Sequence, residues 1–400
     1  LITEIGGTVG DIESLPFLEA LRQFTFANPK SCCHIHVTLV PFLEKAGEFK
    51  TKPTQHSIKE LRGIGIHPNI IVCRSEHPIT PDQKQKISMF CDVDAAAVIS
   101  CSDANSIYDV PLMLENEGLE NLVCDTLDLK KAATDMSHWK DYIQTMHKPT
   151  LKTITIGIVG KYTELSDSYI SVVEALKHAA VANHCKLDIE WIRADDIEEL
   201  ATKPFMSVSA LLIPGGFGKR GLTGKIAAAK FAREKNMPML GLCLGMHVLA
   251  IEFARHVLHI KDADSSEFDE KTTDPIIHLL EEQEQVTQKG GSMRLGAYPC
   301  KIMPKTKLSK LYKRKTVQER HRHRYEFNNM YRIQMEEAGL KISGLSPTGN
   351  LVEIIELEDH PWFLAGQFHP EFKSSPMEPH PLFQDFISSS IKFQKNNHNS

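Results

Sequence analysis

No apolar run in the chain approaches the length of about twenty residues that a membrane-spanning helix requires. The nine cysteines never stand as C-x-x-C and fall at irregular spacings, so neither a zinc site nor a disulfide framework is indicated. A reduced, cytoplasmic chain fits that usage. Basic excess is also missing. Forty-six Lys and Arg against 51 Asp and Glu leave a net charge of −5, which argues against a nucleic-acid or membrane-surface partner. The first 150 residues hold no G-x-x-x-x-G-K-[ST] phosphate loop. Internal repeats and low-complexity tracts are lacking too, as is a signal peptide. The chain opens at Leu1, inside an apparent strand, which predicts a fragment missing its N-terminus. What is present, 42% hydrophobic and 24% charged residues over 400 positions, suits a globular protein of two domains.

The front of the chain alternates strand-like and helix-like stretches, as a doubly wound α/β domain does. Leu1–Glu4 leads into a glycine-rich turn carrying Asp11, Ile12 and Glu13, and a helical pattern follows over 15–24. Such a turn is either a ligand-facing edge of a parallel sheet, with Glu4, Asp11 and Glu13 around the ligand, or a solvated turn. Strands are expected over 34–40, 69–73 and 95–101, and helices over 57–62 and 81–90. Lys50, Thr51, Lys52, Pro53, Thr54 and Gln55 precede the helix at 57. Two lysines and two threonines there suit a polyphosphate, or form a basic surface loop. A further helix is expected over 128–146, then a break at His147–Thr150 where the domain boundary is placed.

The second half is organised around Met237–Phe253. An apolar run, 237–242, reads as a buried strand that meets Gly241-Leu-Cys-Leu-Gly245, with a helical pattern from Met246. This is the cysteine form of the G-x-S-x-G nucleophile elbow, and a helix N-terminus favours the thiolate of Cys243. Upstream, strands are expected over 154–159, 187–192 and 210–213, with Gly160–Tyr162 and a helix over about 168–183 between the first two. The third strand ends in Pro214-Gly-Gly-Phe-Gly218, whose amides could face an oxyanion. A polar stretch containing Gly290–Gly296 precedes short strands over 351–357 and 362–368. Beyond them His369 and Glu371 stand two apart. His369 can take the thiol proton and pass it to a leaving amine while Glu371 holds the imidazole tautomer.

Pro-Gly-Gly-Phe-Gly, Gly-x-Cys-x-Gly and Phe-His-Pro-Glu-Phe resemble a class I glutamine amidotransferase. Glu-Ile-Gly-Gly-Thr-Val-Gly-Asp-Ile-Glu-Ser, Lys-Thr-Lys-Pro-Thr-Gln, Lys-Ile-Ser-Met-Phe-Cys and Glu-Arg-His-Arg-His-Arg-Tyr-Glu are similar to the CTP synthase family, over essentially the whole chain. The resemblance implies two doubly wound α/β domains, a partial P-loop, dethiobiotin-synthetase-like synthase domain over 1–130 and a flavodoxin-like glutaminase domain over 153–397. Residues 131–152 would link them. It implies Cys243, His369 and Glu371 as the triad, and the Gly216 and Leu244 amides as the oxyanion site. Leu244, Gly245, Met246, His247, Glu267 and Arg324 would hold glutamine. In the synthase part, Glu4 would bind Mg²⁺, Asp11, Ile12 and Glu13 would contact the feedback inhibitor CTP, and Ala104 would meet the ATP adenine. Lys50 to Gln55 and Lys86 would serve UTP and CTP. GTP is implied as activator, an internal tunnel as the ammonia path, and a homotetramer as the assembly. His321 to Arg324 then read as a glutamine-site strand rather than a metal cluster. Two departures stand out. The family's N-terminal segment with its phosphate-loop lysine is absent from the residues given, so this chain is not expected to make CTP alone. His247 stands where the family usually has Gln. The competing readings are a stand-alone glutaminase serving a partner, and a non-catalytic nucleotide-binding relative.

Overall fold

The computed structural model describes residues 1–131, 134–161, 163, 166–197, 203–279 and 293–398. Tyr162, Gly290 and Gly291, singled out above, lie outside the described residues. The chain divides into two compact units, Leu1–Ile143 and Gln144–Ser400.

In the first unit three parallel strands lie in the order Ile35–Leu39, Ile70–Ser75, Val98–Ser102. The central strand is almost continuously buried, as a strand covered on both faces must be. Its Ile70, Ile71 and Cys73 pack with Ile58, Ile87, Val98 and Ile99 from the flanking helices and strand. The edge strand Ile35–Leu39 is inverted: His36 and Thr38 point inward, and the apolar Ile35, Val37 and Leu39 face out. Ser57 and Thr54 satisfy the two inward polar groups, at 3.0 and 3.2 Å.

Two expectations here need correction. Residues 1–14 contain no strand; Leu1 and Ile2 are exposed, and a strand exists only where a neighbour takes up its backbone bonds. Nor does one helix run from 128 to 146. Leu119–Thr126 ends just before Asp128, whose φ of +51° is left-handed, and a new helix, Ser137–Met146, begins nine residues later. That helix is tied to the first unit by Trp139, whose indole donates to the Tyr108 carbonyl at 2.9 Å.

The second unit is built on a nine-stranded sheet. One half is parallel, in the order Lys186–Arg193, Thr153–Gly160, Ala210–Ile213, Met239–Leu242, Phe363–Gly366. Numbered along the chain this is 2-1-3-4-5, the flavodoxin-like winding, which gathers loops at the carboxyl ends of the strands. The helix Leu244–His256 is buried along Leu244–Ala254, which explains a sequence apolar on every side. Its one internal carboxylate, Glu252, takes Arg233 at 2.8 Å.

The other half was legible as sheet only in part, at the strand expected over 351–357 and at the strand that the resemblance implied near His321. Val352–Leu357, Leu340–Leu345, Arg294–Ile302 and Thr316–His323 extend it antiparallel. Thr316–His323 alternates in burial, but the inward residues are Val317, Glu319, His321 and His323. Ion pairs and hydrogen bonds replace the apolar signal: His321 Nε2 meets Glu353 at 2.7 Å, and Glu319 meets Tyr312 and His380 at 3.0 and 3.2 Å.

Candidate active site

Three adjacent parallel strands deliver the chemistry to one edge. Ala210–Ile213 runs into Pro214–Gly218, Met239–Leu242 into Cys243, and Phe363–Gly366 into Gln367, His369 and Glu371. The turn at Cys243 is sharp, with φ +51° and ψ −101°. Its amide donates to the Gly366 carbonyl at 2.8 Å, and its carbonyl accepts from the Met246 amide at 2.9 Å. The flanking glycines are required by space. A Cβ on Gly245 would run into the Ile213 carbonyl oxygen, and one on Gly241 would lie 2.8 Å from the Ala365 Cβ. The helix starts at Leu244, not Met246, so Cys243 is its N-cap and faces the positive end of the dipole.

Gly215 shows how closely the partners meet. A Cβ there would fall 2.7 Å from His369 Cε1 and 3.6 Å from Cys243 Cβ. His369 Nδ1 donates to Glu371 Oε1 at 2.7 Å, and the His369 amide donates to the Arg320 carbonyl at 2.7 Å. Burial pulls the imidazole's pKa down, but a bond to the Cys243 sulfur and the Glu371 carboxylate override it and raise the value to about 10. The imidazole is thereby held protonated beside the sulfur. The Cys243 thiol hydrogen, when present, faces the Arg322 carbonyl at 3.8 Å.

The Gly216 and Leu244 amides have no hydrogen-bond partner among the described residues, and a Cβ on Gly216 would touch the Leu244 side chain at 3.3 Å. Two donors left free beside the sulfur form the arrangement that an oxyanion needs. The glycine loop is clamped from both sides. Lys161 Nζ donates to the Phe217 and Gly218 carbonyls, and the Gly218 amide donates to Glu267 Oε1 at 2.6 Å. Burial raises the Glu267 pKa, while the Gly218 amide, Lys161, Lys225 and Arg324 oppose the rise. Arg324 adds a buried Nε with no partner among the described residues. A carboxylate and a guanidinium within electrostatic reach match the ammonium and carboxylate of an amino acid.

His247 is buried on the helix, one turn past Cys243, and its Nε2 is engaged by Gln367 Oε1 at 2.9 Å. Met246 is wholly buried as well. Gly245 has no side chain to offer. Lys161 and Gln367 stood in stretches noted in the sequence but without a role; only their spatial partners single them out.

In the first unit the helix begins at Lys52, so Lys50 to Gln55 straddle its first turn, with Pro53 where a missing N–H does no harm. Thr51 and Thr54 are buried and spend their hydroxyls internally, on Gln55 and on Thr38 with Leu39. Lys50 and Lys52 point to solvent, Lys50 paired with Glu48. Lys86 is exposed and its charge reaches the same Glu48, so it belongs to this basic edge. Glu4, Asp11, Ile12, Glu13 and Ala104 are exposed. Among the described residues no hydrogen bond joins them to the lysine turn, and no group of three His, Cys, Asp or Glu is placed to hold a metal. That includes His321 and His323. No helix is long and apolar enough to cross a membrane among the described residues.

Residues 1–129 match the model of the CTP synthase N-terminus, and residues 164–389 the model of class-I glutamine amidotransferases. The chain is 55% identical to CTP synthases of Bacillus velezensis and Bacillus subtilis over 394 residues, covering 98% of this chain and 74% of each relative. It is 53% identical to the Moorella thermoacetica CTP synthase, of which it covers 73%. Among solved structures, the glutaminase domain of the Trypanosoma brucei enzyme with bound acivicin superposes with a TM-score of 0.56. It is 37% identical and covers 60% of this chain and 94% of that one.

Proposed function

Because the chain belongs to the CTP synthase family, glutamine-using ligases that aminate UTP to CTP with ATP, we propose that its second unit releases ammonia from glutamine at Cys243. The single observation that carries this is the meeting of Cys243, His369 and Gly215 at one sheet edge, with two free amides alongside. Glutamine docks with its ammonium against Glu267 and its carboxylate against Arg324. The Cys243 thiolate attacks the side-chain carbonyl, and the oxyanion is received by the Gly216 and Leu244 amides. Collapse expels the amine, which takes its proton from His369, and leaves a thioester. His369, now neutral, deprotonates the water that cleaves it, and glutamate departs. Glu371 holds the imidazole throughout. Leu244, Gly245, Met246 and His247 form the wall behind the sulfur.

The first unit is proposed to serve the nucleotides, with 1–130 as synthase part, 131–152 as connection and 153–397 as glutaminase part. Lys50, Lys52 and Lys86 meet UTP or CTP phosphates, with Thr51, Pro53, Thr54 and Gln55 shaping that turn. Asp11, Ile12 and Glu13 contact CTP as feedback inhibitor, and Ala104 the adenine of ATP. Glu4 fits Mg²⁺ as a single carboxylate, since this ion commonly takes one or two carboxylates and completes its shell with water and phosphate oxygens. When bound, the ion neutralises phosphate charge. GTP as activator, a homotetramer and a cytoplasmic location complete the proposal.

The test is glutamate release from glutamine, with and without GTP, by the chain and its Cys243→Ala and His369→Ala variants. Loss of release in both supports the reading. Release that persists in Cys243→Ala overturns it.

A further inference from the structure

We propose that the Gln367 carboxamide is an additional hydrogen-bond donor to the Cys243 sulfur, and that His247 sets which end of that carboxamide faces it. The proposal rests on the reading of Cys243 as nucleophile.

Gln367 follows the strand Phe363–Gly366 and is wholly buried. Its backbone amide is anchored on the Glu353 carbonyl at 2.8 Å. Its side chain bridges two groups: Oε1 lies 2.9 Å from His247 Nε2, and Nε2 lies 4.0 Å from Cys243 Sγ. A carboxamide has an acceptor end and a donor end, so whichever end His247 binds, the sulfur receives the other.

His247 decides this through its single ring proton. Burial lowers its pKa to about 4, so the ring is neutral at pH 7. Nδ1 lies beside the Tyr325 carbonyl, which also takes His323 Nδ1 at 3.1 Å, and is left without a full hydrogen bond among the described residues. The carboxamide orientation, Oε1 toward His247 and NH₂ toward the sulfur, calls for the ring proton on Nε2. The other tautomer would rotate the carboxamide and aim its oxygen lone pairs at a developing thiolate.

The sulfur's surroundings make the donor matter in only one state. The thiol hydrogen can point at the Arg322 carbonyl, 3.8 Å away. After deprotonation that carbonyl repels, and the side-chain donors at the sulfur among the described residues are His369 and Gln367. Gln367 thus acts on the thiolate and not on the thiol, which is the difference that sets a cysteine's reactivity. His247 is a positioning residue, one layer behind.

The experiment is iodoacetamide alkylation of the full chain across pH, read by mass spectrometry on the Cys243 peptide, with glutamate release in parallel. Gln367→Met keeps the side chain's length and removes the donor; the alkylation midpoint should rise by about one pH unit and kcat fall about tenfold, with KM within about twofold. His247→Met should do the same by releasing the carboxamide. His247→Gln, which still donates to Oε1, should shift the alkylation midpoint less than His247→Met does. An unchanged midpoint in Gln367→Met overturns the proposal. If circular dichroism shows that variant unfolded, the histidine pair decides, and equal midpoints for His247→Met and His247→Gln overturn it. Glutamate release surviving in Cys243→Ala removes the nucleophile reading beneath it. Release lost there, with every midpoint unmoved, removes only the proposal.

Discussion

Adding one methyl group at Gly215 should disable glutamine hydrolysis without unfolding the chain. The new Cβ would sit 2.7 Å from His369 Cε1, against an ordinary carbon–carbon contact of about 3.5–4.0 Å, so the ring or the loop must retreat by about 1 Å. The ring is not free to do so. Its Nδ1 is held on Glu371 at 2.7 Å and its backbone on Arg320 at 2.7 Å. Gly215 has no left-handed φ, and the atoms in the way are side-chain atoms, so the stability loss should stay within about 1–3 kcal/mol. A displacement of about 1 Å between nucleophile and base lowers turnover by about a hundredfold, or about 2.7 kcal/mol in the barrier. The assay is initial-rate glutamate release with thermal unfolding alongside. Gly215→Ala should lower kcat far more than it lowers melting temperature. Removing the anchor should weaken the effect, so Gly215→Ala costs less in a Glu371→Ala background. A folded Gly215→Ala protein within threefold of the parent kcat would show that His369 does not work from this position.

Gly245→Ala meets backbone instead of a flexible ring, and should lower the melting temperature and soluble yield sharply; a melting curve like the parent's would refute the space argument. His369 carries a pKa raised to about 10 by the Cys243 sulfur and Glu371, while an unfolded Cys and His give up their last proton at about pH 8.5, so between about 8.5 and 10 the folded pair keeps a proton that the unfolded pair has lost. Stability should therefore fall as pH rises through that window, and Glu371→Gln should flatten the slope; parallel denaturation midpoints at about pH 8.5, 9.2 and 10 would contradict this. His360 has the opposite sign. Burial lowers its pKa to about 4, so its contribution is complete above pH 6.5 and is lost as pH falls toward 4, by roughly 3 kcal/mol. His360→Asn should shrink the stability difference between pH 7 and 4.5, and an unchanged difference would count against the assignment.

Where the chain spoke in apolar runs, it could be read directly. Met239–Leu242 and Ala210–Ile213 lie within stretches whose continuous apolar character admits few alternatives to buried parallel strands, and both are buried at every residue. Glycines flanking Cys243 announced a turn tighter than a Cβ permits. Where burial is polar the pattern failed. Thr316–His323 hides Glu319, His321 and His323 inside the sheet, so its alternation carries no hydrophobic signal, and its partners Glu353, Tyr312 and His380 are remote in sequence.

The candidate site divides along the same line. Its reacting groups were legible because motifs are local: an elbow cysteine, a glycine loop after a strand, a histidine and a glutamate two apart. Their mutual placement was not, because the 2-1-3-4-5 strand order that makes three loops neighbours is decided by packing across some 160 residues of chain. The same packing gave Lys161 its hold on the Phe217 and Gly218 carbonyls and brought His247 to Gln367. By itself the sequence determined which chemical groups this protein carries and where its backbone must bend sharply. Only the tertiary structure decided which of those groups stand within a hydrogen bond of one another, because that distance is set by residues far apart along the chain.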